Sequence, residues 1–152
     1  VTSRTTRVGS STLTSEDNFG PLLLAMARAA PVAALAMAQE AQFQAVGVFD
    51  TDGDGTWEPN APATVEWKDG EKVMLGRTGA LSESIEVRDG PSPKEREVGW
   101  FDDPHPDSDL TMAQLALVHE TDRPWLSKVH DNADRADKVL AAGAAAYRGA
   151  LA

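Results

Sequence analysis

An apolar, Ala-rich run across residues 21–48 constrains this chain more than any other feature, because a stretch that long has to be packed, paired or embedded. Asp17 or Asn18 can cap a helix ahead of it, and Pro21 is tolerated in a first turn. Leu22, Leu23 and Met26 follow, and Pro31 then kinks or restarts the helix. From there Val32, Leu35, Ala36, Gln39, Phe43 and Val46 fall close to one face. The spacing predicts helices over 19–29 and 31–47, or one kinked helix, with an apolar face turned to a core. Arg28 and Pro31 interrupt the run and Gln39 and Glu40 end it, so it is expected to fall short of the ~20 apolar residues of a membrane span. Arg4 and Arg7 ahead of the run, with Ala34-Leu35-Ala36 behind, mimic a signal peptide; the run starts late for one, and no processing is expected.

A second helix is expected to start near Asp122, with Pro124 in its first turn. Leu126, Val129, Ala133, Ala136, Leu140, Gly143, Tyr147 and Ala150 repeat in steps of three and four, a narrow stripe rich in small residues and suited to close helix packing. Asp131–Arg135 and Asp134–Lys138 are acid-before-base pairs four apart. A shorter helix is expected over 111–120.

Between these helices lie the strand signals. In Leu75–Val87, Gly76 and Gly79 permit sharp bends, Leu81, Ser84 and Ile85 recur at helical spacing, and Ile85 and Val87 then alternate with Glu86 and Arg88. Residues 95–101 return as a strand with Val98 and Trp100 on one face, after a turn made by Asp89-Gly90-Pro91-Ser92-Pro93. A short helix within 60–70 ends at Asp69-Gly70, and Trp67 on it fits a core or an exposed anchor equally well. The predicted fold is α+β: a small, mainly antiparallel sheet containing strands over 81–88 and 95–101, packed by an N-terminal helix and a long C-terminal helix. Residues 1–18 are Ser/Thr-rich without an apolar period and read as a flexible N-terminal arm; residues 19–152 read as one domain.

The formal net charge of -10 argues against gripping a phosphate backbone, and the absence of cysteine excludes disulfides and thiolate chemistry. Asp50, Asp52 and Asp54 followed by Gly55, with Glu58 four residues on from Asp54, fit the first half of a calcium loop. The closing position holds Ala61, and Pro59 blocks the helix that would present a ligand there, so a solvated turn is the stronger expectation and calcium binding the alternative function. His119-Glu120 begins the zinc-protease pattern, but Arg123 stands where the second His belongs. Residues 101–110, with four Asp, two Pro and His105, read as an exposed loop. No nucleophile motif and no framed acid pair is present; no metal and no cofactor is expected, and the chain is not read as an enzyme.

The order of several short motifs carries a resemblance. Trp57 and Pro59 form a Trp-x-Pro segment, and Thr64 follows. Thr78, Gly79, Leu81, Ser84 and Ile85 form Thr-Gly-x-Leu-x-x-Ser-Ile; Ala116, His119 and Glu120 form Ala-x-x-His-Glu; and Pro124, Trp125 and Leu126 form a helix start. In this order the chain, over about residues 20–150, resembles the tail-completion and head–tail joining proteins of tailed phages, including the Mu-like virion morphogenesis proteins. Trp125 replaces the usual Phe, and the Gly expected shortly after Glu120 is missing.

The resemblance implies a structural virion protein at the phage neck, made in the bacterial cytoplasm. It implies a homo-oligomeric ring of six copies that completes or terminates the tail tube, with a neighbouring neck protein and the tail tube protein as partners. DNA would pass without sequence-specific binding, and no membrane partner is implied. It also implies that His119 and Glu120 pin a helix end and the following loop, and that Arg4 and Arg7 sit on an arm that orders against a neighbouring subunit.

Overall fold

The apolar run forms one helix, α1 (Phe19–Asp50), with Pro31 inside it. Of the two expected forms it is the single helix that occurs: proline removes one backbone hydrogen bond, but Ala-rich flanks keep the helical preference on both sides. The structure, a computed structural model, describes residues 2–8, 11–17, 19–68, 80–106 and 108–152. Because α1 continues through Arg28 and Pro31, the helix Gly20–Asp50 is long and apolar enough by length and composition to cross a membrane, with an 18-residue window of mean hydropathy 1.7. That corrects the expected shortfall. In this fold the later part of the helix is core, with Ala38, Gln44, Ala45, Val48 and Phe49 buried.

After α1 the chain makes a tight turn, α2 (Asp52–Gly55), a short helix α3 (Pro62–Lys68) and a single turn α4 (Ala80–Glu83). Trp67 on α3 is exposed. Strands β3 (Glu86–Asp89) and β4 (Arg96–Gly99) pair antiparallel with Val87 opposite Val98, so the first strand starts after the α4 turn and not at Leu81. Within the stretch 1–18, expected as an arm without regular structure, residues 2–8 and 11–17 pair as β1 (Thr2–Val8) and β2 (Ser11–Asp17) in a separate antiparallel ribbon. Backbone pairing needs no apolar period, which is why the composition did not reveal it.

Helix α5 (Met112–Asp122) starts at a complete capping box: the Thr111 hydroxyl accepts from the Gln114 N–H while the Gln114 side chain accepts from the Thr111 N–H. The expected single C-terminal helix is two, α6 (Leu126–His130) and α7 (Ala133–Leu151). The chain breaks at Asp131-Asn132 because Asn132 caps α7, its Oδ1 accepting from the Arg135 N–H at 3.2 Å. The predicted stripe holds only in part: Leu126 and Leu140 are exposed, while Gly143 is buried.

Helices α1 and α7 run antiparallel. Arg135 at the start of α7 reaches Asp54 just past the end of α1, and Gly143 lies against Met37 so closely that any side chain there would meet the thioether. The last turns of α7 lie level with Ala29, which is fully buried. Beyond that point α1 projects by about 13 Å. Leu22, Leu23 and Leu24 on this projection are 51%, 62% and 52% exposed, and three successive residues on a helix point in different directions.

At the other end of α1 sits an aromatic core. The Phe49 ring stands edge-on to Trp57 at 5.7 Å and to Trp100 at 5.5 Å, and Trp100 meets Trp125 edge-on at 4.1 Å. Such pairs contribute about 0.5–1.5 kcal/mol each beyond the area they bury. Leu81, Ile85, Met112 and Ala116 close the cluster. The Trp100 indole donates to the Leu81 carbonyl, and Gln42 donates to the Ile85 carbonyl at 2.6 Å, tying α1 to the entry of β3.

Candidate functional site

The turn after α1 has an unusual backbone. Asp52, Gly53, Asp54 and Gly55 have φ of 49°, 66°, 60° and 71°, four successive residues in the left-handed region. L-residues lose about 1–2 kcal/mol each there, and Asp is among the few that tolerate it. The turn is held by its own bonds: the Gly55 N–H donates to the Thr51 carbonyl at 2.7 Å, and the Asp54 N–H to the Thr51 hydroxyl at 3.2 Å.

Arg135 completes the hold. Its Nη1 and Nη2 donate to the two Asp54 carboxylate oxygens at 2.8 and 2.7 Å, and Nη1 also reaches the Lys128 carbonyl at 3.1 Å. The guanidinium thus engages both oxygens of the third acid in the Asp50–Glu58 motif. Among the described residues no three His, Cys, Asp or Glu side chains gather in a group that could hold a metal ion. Arg135 was expected to pair with Asp131 one turn away; Asp131 instead contacts His130 at 2.8 Å.

Hydrogen bonding from Arg135 holds the Asp54 carboxyl below its ordinary pKa. A depressed acid contributes stability above its unfolded pKa and loses that contribution as pH falls through the folded one. Asp54→Asn is therefore expected to cost about 0.5–1 kcal/mol at pH 7, in the range of partly exposed pairs. The gap from the parent protein should close below the ordinary carboxylate range. Urea melts from pH 7 down to pH 3 measure it; a pH-independent gap would remove the ion pair as the cause.

The second element is the corner between α5 and α6. Glu120 Oε2 accepts from the Trp125 N–H at 2.9 Å and the Leu126 N–H at 3.0 Å, satisfying two backbone donors at the start of α6. Its carboxylate also meets the positive end of the following turn. Glu120→Ala should cost about 1.5–3 kcal/mol by leaving both donors without their charged acceptor, read as a lower urea midpoint at unchanged slope; a loss under about 0.5 kcal/mol would show that other acceptors replace it.

Between this corner and the exit of the left-handed turn lies a cleft of about 800 Å³, with Trp57, Glu58, Val118, His119, Arg123 and Lys128 among its walls. Trp57 is buried, and its indole N–H has no acceptor among the described residues. The ring lies flat against Gly53, so the turn and the cleft wall are one unit.

The third element is the loop before α5. Arg88 pairs with Asp103 and with Glu86, while its guanidinium stacks 3.9 Å above the Phe101 ring. Backbone bonds from Met112 to the Asp103 carbonyl and from Ala113 to the Phe101 carbonyl fasten the loop to α5.

Of the residues singled out in the sequence, Trp57, Leu81 and Ile85 meet in the core, and Trp125 packs against it. Ser84 donates to the Leu81 carbonyl at 3.2 Å, and Pro59 lies exposed beyond Trp57. His119, Glu120, Pro124 and Leu126 share the α5–α6 corner. Thr78 and Gly79 lie outside the described residues; Arg4 and Arg7 lie on β1, with side chains outside the description. Arg135, Arg88, Phe49 and Trp100 were not singled out as site residues. Apart from Glu86 beside Arg88, their partners lie far away in sequence or on other elements, where spacing carries no signal.

No family model, curated protein or solved structure matches this chain.

Proposed function

We propose that this chain is a structural, non-enzymatic subunit of a tailed-phage virion, working at the neck where the tail joins the head. Copies of it form a ring, six by the resemblance, that completes or terminates the tail tube and contacts a neighbouring neck protein and the tube protein. The observation that carries the reading is the meeting of motif segments: Trp57, Leu81, Ile85 and Trp125, drawn from the full span of the motif order, share one aromatic core with Phe49. The exposed leucines around the projecting end of α1 add support, since a ring that covers them would remove this apolar surface from water. The net charge of -10 suits a lumen through which DNA slides without being held.

Native mass spectrometry of the purified chain, with and without calcium, tests the reading. A ring-sized oligomer indifferent to calcium is expected. A monomer that gains one calcium mass would overturn the reading in favour of a calcium-binding module built on Asp50–Glu58. Removing residues 1–18 is expected to weaken ring assembly while leaving the unfolding transition of the rest in place; unchanged assembly would take the arm out of the contact.

A further inference from the structure

Two features of opposite character lie at the two ends of α5, about 16 Å apart by its eleven residues. At its end is the cleft, which carries Arg123 and Lys128 against the single acid Glu58 in a chain of net charge -10. At its start is the 101–110 loop, which exposes Asp102 and Asp109 together with Pro104, Pro106 and Leu110. Among the described residues neither Arg123 nor Asp109 has a side-chain partner. The loop base is held by the Arg88–Asp103 pair and by two backbone bonds to α5.

From this we infer that the cleft is the receptor for the 101–110 loop of a second copy of the chain. Asp109, together with the exposed Asp102, which accepts from the Thr111 hydroxyl at 3.3 Å through one oxygen, meets Arg123 and Lys128, and the loop's proline and leucine side chains cover Val118, which is exposed at the cleft wall. One chain cannot satisfy both surfaces by itself across the length of α5. Two different surfaces that fit each other make a head-to-tail contact, which closes into a ring when the rotation between copies allows. The inference rests on the ring reading for the need of such a contact, while the cleft and the loop stand on their own geometry.

The test separates the two. A synthetic peptide of residues 101–110 is titrated into the full chain, and binding is read by calorimetry and by the fluorescence change of the tryptophans, Trp57 being in the cleft wall. Saturable binding that weakens as salt rises is expected, falling at least tenfold in Arg123→Glu and in a peptide with every Asp replaced by Asn. Far-ultraviolet circular dichroism of the variant establishes that it is folded, and Lys128→Glu serves as the second variant. In the assembled ring, Arg123→Glu should break the oligomer, and Asp102→Arg with Asp109→Arg in the same chain should restore it. Absence of peptide binding at millimolar concentration, or binding equal in both charge variants, overturns the inference. A ring left intact by Arg123→Glu overturns it too while leaving the ring reading in place. A monomeric chain that binds the peptide with this charge dependence supports the cleft and counts against assembly in free solution.

Discussion

Phe49→Ala is expected to destabilise the protein by about 3–5 kcal/mol, the range for removing a fully buried aromatic ring. Phe49 is 0% exposed and stands against Trp57, Trp100 and Trp125, so its deletion leaves a cavity faced by three rigid indoles that cannot collapse into it. At about 2–4 °C per kcal/mol for a domain of this size, the thermal midpoint should fall by roughly 6–20 °C. Phe49→Leu, which keeps most of the volume, should recover much of the loss. Thermal melts followed by near-ultraviolet circular dichroism, which reports the packed tryptophans, measure both. A Phe49→Ala loss below about 1 kcal/mol would mean that the indoles, and not the phenylalanine, organise this core.

Gly53→Val should be nearly as damaging, for two independent reasons. Valine at a φ of 66° carries the full left-handed penalty, about 1–2 kcal/mol, with its branched side chain adding to it. Its Cβ would also run into the Trp57 indole, which is buried and has no room to retreat, and such overpacking costs about 1–3 kcal/mol. Gly55 supplies the control. It has a similar φ of 71° but open space where a Cβ would point. Gly55→Val should therefore show the backbone penalty alone, and Gly55→Asn should cost well under 1 kcal/mol because Asn tolerates this conformation. Equal losses in the two valine variants would remove the indole contact from the account.

The parts of the fold written in local periodicity were legible in the sequence. Both long helices and the β3–β4 pair follow from spacings of three and four, or of two, that any window of the chain displays. What escaped was set by contacts across distance. The pairing of Asp54 with Arg135 joins residues 81 apart, and the nearer Asp131 made a false partner look sufficient. The break before α7 depends on one Asn outcompeting a helical pattern that continues on both sides of it. The β1–β2 ribbon is held by backbone groups, which every sequence has. The cleft is built from two segments that are each unremarkable until the left-handed turn brings Trp57 beside the α5–α6 corner. The motif order located that corner, while the charge on Arg123 entered the sequence reading only as an unsuitable zinc ligand.

The antiparallel packing of α1 against α7 also bears on how the chain is made. Helix α1 ends at residue 50, and the helix that covers its side begins at residue 133. At about 5–20 residues per second, the ribosome leaves roughly 4–17 s between finishing the first and starting the second. During that interval an apolar helix has emerged without its main cover, and the aromatic cluster still lacks Trp100 and Trp125 for much of the time. A nascent chain in this condition is a substrate for chaperones that hold apolar segments. Its yield on expression should therefore depend on their supply and on temperature more steeply than the stability of the finished fold alone would suggest.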